Sequence, residues 1–427
     1  MEGKIISKNV LIVGGGFVGL TLAAKLLNTP ETTVTVLEKS SDKVSRFNSG
    51  EYGIYEPGLE KIFRTAKQQN RIIFTNIFSQ VKFDIVFICI NTNKNETNRV
   101  DSMINLIKEL FANINQKGFI CLRSTVPVGT TSRVKKFLEE STRPDLKVFF
   151  APERTAEGMA LQELDSIPQI VGGFEKDESE VELDLLRSLG FKVIKMSSPE
   201  SAEFLKLMSN IWRDSSFAIV NELAIFSESL KLDIFEIIEK SNSGYPRSKI
   251  PYPGPVGGPC LSKDTYVFFE SFTKDLMKDS LIFRSRSRNE EMINIAYHKI
   301  VEFKGPDRKD LVLIGGAFKG MPRTNDFRNS FAQELINLLQ EDDLEIAVWD
   351  PTLSPSDLLN HYKYYKKDLD DHFYDIVVIG NNSNFVFDNL VLDYLTKLPE
   401  TSLVVDMWGI TKQLEIKAKT YRFGFGN

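Results

Sequence analysis

Histidine and cysteine are scarce, with three of each in 427 residues. The histidines are His298, His361 and His372, so the first 297 residues contain none. This excludes a His-rich metal cluster there and argues against a Ser-His-Asp triad, which leaves Asp, Glu, Lys or water as any general base. No metal site is expected. The cysteines Cys89, Cys121 and Cys260 are odd in number and widely spaced, which excludes a disulfide framework and a C-x-x-C metal pair. Such a set suits a reducing cytoplasm. Long apolar runs are also missing: no stretch reaches the roughly 18 residues that a membrane-spanning helix needs. Val10–Ala24 follows Lys4 and Lys8 as a signal-peptide core would, but four glycines interrupt it and a strand–helix pattern continues at once. It reads as folded structure. Positive charge is not in excess either. The net charge of −5 removes any general attraction to nucleic acid or an anionic membrane, while leaving room for a local basic pocket.

What the chain does have is alternation. Its 427 residues exceed what one hydrophobic core supports, so two or three domains are expected. Apolar, β-branched runs at Val10–Val13, Thr33–Leu37, Asp84–Ile90 and Gly118–Leu122 predict buried strands. Phe17–Leu27 and Ser102–Asn113 carry helical spacing between them. This is the βαβ pattern of a parallel sheet covered on both faces. It recurs near the C-terminus in Asp310–Ile314, Glu345–Trp349, Asp375–Ile379 and Ser402–Val405. Between the two series, Pro199–Ala296 lacks strand patterning, and Ala202–Leu232 has a helical period without proline or glycine. A helix longer than about 25 residues would run from one domain to the other and suits a homodimer interface. Gly305-Pro306 marks the linker into the last domain. The expected fold class is α/β: two doubly wound Rossmann-like domains joined by a central helical region with one long helix, at residues 1–198, 199–300 and 301–427.

Gly14-Gly15-Gly16-Phe17-Val18-Gly19 matches G-x-G-x-x-G, a weak signal alone. Here it follows a predicted strand, opens a predicted helix, and meets Glu38 at the end of the next strand. That context makes it a dinucleotide-binding fingerprint. Gly14 allows the tight turn, Gly16 lets backbone N–H groups approach a pyrophosphate, and Gly19 allows close helix–strand packing. Phe17 and Val18 open the helix. Glu38 would accept the ribose hydroxyls and repel a 2′-phosphate, which favours NAD over NADP; Lys39 beside it pulls the other way.

Pro253-Gly254-Pro255-Val256-Gly257-Gly258-Pro259-Cys260-Leu261-Ser262-Lys263-Asp264 sets three prolines and three glycines around one thiol. Such a segment is neither helix interior nor central strand. Asp264 comes within reach of Cys260 if the backbone coils after the cysteine. A thiol on a shaped loop beside a carboxylate suggests covalent catalysis, with a buried structural cysteine as the alternative.

Further motifs follow in order. They are Asn48-Ser49-Gly50, Tyr55-Glu56-Pro57-Gly58-Leu59, Ser124-Thr125-Val126-Pro127-Val128-Gly129-Thr130-Thr131, and Pro152-Glu153-Arg154 with Glu157-Gly158. Ala202-Glu203, Lys206, Asn210 and Asn221-Glu222 lie in the predicted long helix, and Phe318-Lys319 and Asp326-x-Arg328-x-Ser330 in the last domain. Together with the glycine turn and the cysteine loop they resemble the UDP-glucose/GDP-mannose dehydrogenase family of NAD-dependent nucleotide-sugar 6-dehydrogenases, over essentially the whole chain. Two departures stand out. Pro259 precedes the cysteine where the family often has His or Ser, and Asn91-Thr92-Asn93 lacks the family's proline.

The resemblance implies oxidation of a UDP-sugar's C6 hydroxyl to the uronic acid. That change removes four electrons, so two NAD are needed per sugar, and a thiolate adding to the aldehyde supplies a tetrahedral carbon for the second hydride to leave. Cys260 would be the nucleophile, passing through a thiohemiacetal and a thioester. Lys206 and Asn210, four apart on one helix face, would steady the substrate oxygen. Asp264 and Glu157 are the candidate water-activating groups. Thr92 and Thr125 would line the cofactor site, and Thr125 with Glu153 would hold water or substrate beside the nicotinamide. Substrate contacts are implied at Glu153, Arg154, Lys206, Asn210, Gly257, Phe318, Lys319 and Arg328. The last domain has Gly315-Gly316-Ala317-Phe318-Lys319-Gly320 in place of G-x-G-x-x-G, and its lysine suits the UDP diphosphate. Asn210-Ile211-Trp212-Arg213-Asp214 leans toward the UDP-N-acetylhexosamine branch (N-acetylmannosamine or N-acetylglucosamine). UDP-glucose is the alternative sugar. A two-electron dehydrogenase of a β-hydroxy acid, which needs no cysteine loop, and a non-catalytic NAD-binding regulator are the alternatives of other classes.

Overall fold

The computed structural model describes residues 8–78, 81–91, 99–174, 176–247, 249–306, 308–362, 369, 372–384 and 388–426. The chain forms two compact units, one of Met1–Ser209 with Tyr266–Lys274, the other of Asn210–Thr265 with Asp275–Asn427. The predicted central region is thus shared between the two.

The first unit holds an eight-stranded sheet. Its strands are β1 (Lys8–Val13), β2 (Thr32–Leu37), β3 (Ile72–Thr75), β4 (Phe83–Ile88), β5 (Ile114–Leu122), β6 (Lys147–Phe150), β7 (Gln169–Gly172) and β8 (Val193–Met196). They lie in the order β3-β2-β1-β4-β5-β6-β7-β8, whose first six positions are the dinucleotide-binding order. Neighbours pair in parallel except β6 and β7, which run antiparallel. Alternation places the two faces of β1 in different cores: Val10 and Ile12 pack on one side, Leu11 and Val13 on the other. Helix α1 (Phe17–Leu27) matches its predicted bounds. The helix predicted at Ser102–Asn113 instead runs Arg99–Glu109, followed by a 3-10 turn at Phe111–Asn113. Arg99 and Val100 bury as that helix begins, which moves its apolar face back by a turn.

The second unit holds a five-stranded parallel sheet of β9 (Asp310–Ile314), β10 (Glu345–Trp349), β11 (Ile376–Ile379), β12 (Leu403–Asp406) and β13 (Lys419–Arg422), in the order β10-β9-β11-β12-β13. This is the shorter doubly wound order. Leu311 and Leu313 face one core, Val312 and Ile314 the other. The long helix α3 is Pro199–Ser229, three residues earlier at each end than predicted, because proline is welcome in a helix's first turn. Helix α2 is Thr130–Glu140, α4 is Leu261–Phe269 and α5 is Leu281–Lys304, which stops at Gly305. Among the described residues no helix is long and apolar enough to cross a membrane, and no cluster of His, Cys, Asp and Glu could hold a metal.

Candidate active site

The chain leaves β1 at Gly14 with φ 107°, a region that disfavours side chains. A methyl group there would lie 2.5 Å from the carbonyl oxygen of Cys89, just past β4. Gly19 is equally constrained, since its Cβ would fall 1.9 Å from the Gly14 carbonyl oxygen. Gly16 is different. It is exposed, its φ is −87°, and a Cβ added there meets nothing within 4 Å. The fold itself does not require glycine at 16. The open space in front of α1's N-terminus fits a pyrophosphate. This cradle lies between β1 and β4, where the strand order reverses. Phe17 and Val18 are half-buried beside it. Glu38 is buried and accepts the Gly15 N–H at 3.0 Å and the Ser40 N–H at 3.1 Å, one on each oxygen. Each oxygen keeps a lone pair for a ribose hydroxyl. Lys43 lies 4.0 Å from that carboxylate, and Lys39 is exposed. Thr92 lies outside the described residues, as does Asn93.

Thr125 is half-buried at the end of β5, where Ser124 Oγ donates to the carbonyls of Ile88 (3.2 Å) and Ile90 (2.8 Å) and ties β5 to β4. The adjacent Arg123 is wholly buried. It donates to Glu153 Oε2 at 2.5 Å and to Gln169 Oε1 at 2.7 Å. Glu153 Oε1 takes the N–H groups of Arg154 (2.7 Å) and Thr155 (2.9 Å). Burial alone would raise the Glu153 carboxyl, but the guanidinium and these donors outweigh it and hold it low. Glu153 is therefore anchored through both oxygens, with one lone pair of Oε2 left for a further donor, while Arg154 is exposed. Glu157 is half-buried on a segment pinned from both sides. Glu163 accepts the Ala156 N–H at 2.6 Å, and buried Glu56 accepts those of Gly158 (3.1 Å) and Leu161 (3.0 Å). Glu203, one turn before Lys206 on α3, accepts the Gly129 N–H (2.6 Å), the Thr131 N–H (2.8 Å) and the Thr131 hydroxyl (2.6 Å) at the start of α2. Burial pushes its carboxyl up to about 7 against the pull of these donors. Lys206 is half-buried and makes no hydrogen bond or ion pair among the described residues.

The second unit gathers the cysteine loop. Cys260 is the residue from which α4 starts: its carbonyl accepts the N–H groups of Lys263 (3.2 Å) and Asp264 (3.0 Å). Its thiol is exposed, whereas Cys121 is buried in β5 and Cys89 is buried just past β4, where desolvation pushes the thiol up to about 12. A helix N-terminus favours negative charge on a nearby sulfur. Asp264 is only 1% exposed. Its Oδ2 accepts the Asn210 amide N–H at 2.6 Å and its Oδ1 accepts Lys263 Nζ at 2.8 Å. The fold thus joins two predicted residues 54 positions apart. With both oxygens engaged, Asp264 orients Asn210, whose second N–H stays available to an oxyanion.

The glycines before the cysteine are required by contact. A Cβ on Gly257 would lie 2.3 Å from the Asn329 carbonyl oxygen, and one on Gly258 would lie 2.5 Å from the Phe318 ring. The Gly258 N–H donates to the Asn329 carbonyl at 3.0 Å, and Asn329 Nδ2 donates to Ser262 Oγ at 2.8 Å. Phe318 therefore packs on the cysteine loop. Lys319 Nζ stands 5.4 Å from its ring, and Arg328 is exposed and paired with Asp326 at 2.9 Å. Asn329 and Arg123 were absent from the predicted residues, because nothing local in the sequence distinguishes them.

The turn after β9 copies the first unit's only in part. Asp350, at the end of β10, takes the Gly316 N–H at 2.8 Å as Glu38 takes that of Gly15. Ala317, however, is buried where Gly16 is open, and the next helix begins only at Phe331. No dinucleotide cradle forms there. A cavity of about 710 Å³ lined by Asn242, Gly244, Tyr245, Pro246, Lys249 and Ile250 contains none of the predicted site residues.

An open pyrophosphate cradle with an acid for the ribose, in a sheet of this order, defines a dinucleotide-binding protein. The sequence matches three patterns of the UDP-glucose/GDP-mannose dehydrogenase family: its NAD binding domain at residues 8–189, its central domain at 200–291 and its UDP binding domain at 312–413. The chain belongs to that family, and its cofactor is NAD. Among similar proteins, the UDP-N-acetyl-D-mannosamine dehydrogenase of Methanococcus vannielii is 26% identical over 416 residues, covering 93% of this chain and 92% of that one. The protein of the same name from Pyrococcus horikoshii is 28% identical, covering 80% and 83%. A solved UDP-D-ManNAc dehydrogenase from Pyrococcus horikoshii matches with a TM-score of 0.83 at 24% identity, covering 97% of this chain and 99% of that one. A UDP-glucose dehydrogenase from Pyrobaculum islandicum matches with a TM-score of 0.82 at 22% identity, with full coverage of both. These structures share the fold.

Proposed function

We propose that the protein is a UDP-N-acetylmannosamine 6-dehydrogenase that oxidises the sugar's C6 alcohol to the acid through a covalent intermediate on Cys260. The observation that carries this reading is the exposed thiol at the head of α4, on a loop packed against Phe318 and Asn329 of the UDP binding domain. The names of the similar proteins favour the N-acetylmannosamine sugar. NAD, when bound, accepts one hydride, so the four-electron change consumes two. Gly14, Gly16, Phe17, Val18, Gly19 and Glu38 hold it. Cys260 attacks the aldehyde carbon and forms a C–S bond. Lys206 and the free Asn210 N–H steady the resulting oxyanion. Loss of the second hydride leaves a thioester, which water cleaves to the acid and the thiol, with Glu157 as the candidate base. Lys319 and Arg328 contact the UDP moiety. A thiol of this kind, outside any disulfide, works in a reducing cytoplasm.

The test is stoichiometric. The purified protein is incubated with NAD and, separately, UDP-N-acetylmannosamine, UDP-N-acetylglucosamine and UDP-glucose, and NADH is counted per sugar consumed. Two NADH with the first sugar are expected. Two with another sugar would correct the substrate, and one NADH per sugar would sink the covalent reading.

We further propose that the protein is a homodimer through α3. Phe204, Met208, Trp212, Ile219, Leu223 and Phe226 recur at helical spacing along it and are all exposed, Trp212 by 73%. The stripe spans about 33 Å, longer than an apolar surface a monomer ordinarily leaves open. A second copy of the same helix, antiparallel across a two-fold axis, would cover it and bring the two Trp212 side chains near the centre. Trp212→Glu would then set like charges together. Light scattering should give a dimer for the natural protein and a monomer for this variant. A monomeric natural protein at micromolar concentration would refute the dimer.

A further inference from the structure

The cysteine loop is held from behind by a network of buried polar side chains on α3 and α5. Arg286, on α5, is buried, and its Nη1 donates to Asp214 Oδ1 of α3 at 2.8 Å. The same guanidinium reaches the carbonyls of Leu261 (3.3 Å, from Nη1) and Val256 (3.4 Å, from Nη2). Those carbonyls lie on either side of Cys260. Asn289, one turn further along α5, donates to the Asp214 carbonyl and carboxylate, each at 2.8 Å, and accepts Asn221 Nδ2 at 2.9 Å. Asn221 pairs with both backbone groups of Gly254, at 2.8 and 3.1 Å. One buried polar network therefore grips the loop at 254, 256 and 261.

A fold that needed only stability would not choose this network. Replacing a buried ion pair with apolar groups of similar volume is often neutral or favourable. Here Asp214 Oδ2 is buried without a hydrogen-bond partner, and Arg286 Nε has no hydrogen bond and only an ion-pair contact with Glu290 at 3.6 Å, a cost that an apolar pair would avoid. What the pair supplies and an apolar pair would not is a planar donor fork for several acceptors at once. We propose that Arg286, held by Asp214, is a positioning residue for the Cys260 thiol: it fixes the backbone on both sides of the cysteine and so keeps the sulfur at the head of α4. The proposal rests on Cys260 being the nucleophile of the reaction above.

Two variants test it. Arg286→Lys keeps a charge opposite Asp214 but lacks the fork. The double variant Asp214→Leu/Arg286→Met removes both charges together and leaves none buried alone. Because Cys89 and Cys121 are buried, iodoacetamide should report on Cys260 in the substrate-free enzyme. Both variants should melt close to the natural protein and keep its KM for NAD. Their kcat should fall about 100-fold with the sugar KM within about threefold, as a misplaced reacting group loses rate rather than binding. The pH midpoint of Cys260 alkylation should rise, since a thiol released from a helix N-terminus loses charge stabilisation. A folded variant with an unchanged alkylation midpoint and kcat would overturn the proposal. If the natural protein oxidises none of the sugars, the functional reading fails, and the alkylation midpoint alone still decides whether Arg286 positions the thiol.

Discussion

Cys260→Ala should reduce steady-state NADH production from UDP-N-acetylmannosamine by at least about 10⁴-fold, the scale on which covalent enzymes lose turnover without their nucleophile. The argument is one of electrons. Removing the first hydride needs no thiol, so the aldehyde can still form. Removing the second needs a tetrahedral carbon, and without the thiol only unassisted hydration of the aldehyde supplies one. The variant should therefore produce at most about one NADH per active site before stalling. Because the side chain is exposed, its loss should alter stability by only about 0.5 kcal/mol, so the defect cannot be blamed on unfolding. Stopped-flow absorbance of NADH, together with a melting curve, checks both halves. Turnover within tenfold of the natural protein would end the assignment of Cys260 as nucleophile.

Asp264→Asn should lower kcat by about 10²–10³-fold, equivalent to about 2.7–4 kcal/mol, through Asn210 rather than by loss of a base. The carboxylate accepts from Asn210 at 2.6 Å and from Lys263 at 2.8 Å. An asparagine has one acceptor oxygen, so one of the two donors must face an NH₂ group. If Lys263 keeps the oxygen, the Asn210 amide turns and its oxyanion donor is misdirected; if Asn210 keeps it, a largely buried ammonium loses its partner. Either way stability should drop by about 1–3 kcal/mol, the cost of a buried donor left unmatched. The discriminating readout is the comparison with Asn210→Ala. If Asp264 acts by orienting Asn210, the double variant should be scarcely worse than either single one. Fully additive losses would mean that Asp264 acts on substrate or water independently.

The reach of sequence reading can be traced element by element. Helix α1 and strands β9 and β10 have the bounds predicted for them, because an apolar run closed by a glycine turn, or by Asp350-Pro351 after β10, leaves little freedom. Strands β6, β7 and β8 were not predicted at all. They are four residues each, and β8 is only partly buried, so no periodicity could reveal them. Glu153 shows what lies beyond such reading at the site. Its motif marks it as a substrate contact, but nothing in the sequence tells that Arg123, thirty positions away, pairs with one of its oxygens.

The sequence by itself determined the parts governed by neighbouring residues. These are the glycine turn, the acid ending the next strand, the long helix, and a cysteine on a loop too rich in proline and glycine to be regular structure. Local sterics and the two periodicities of side-chain direction act over a few residues and leave their mark in order. Only the tertiary structure decided which polar groups meet. Asn210 finds Asp264, Asp214 finds Arg286, and Asn221 grips Gly254, across separations of 54, 72 and 33 positions. Such pairs form because a buried donor or acceptor must find a partner once water is gone, and the packing of α3, α4 and α5 settles which partner is within reach.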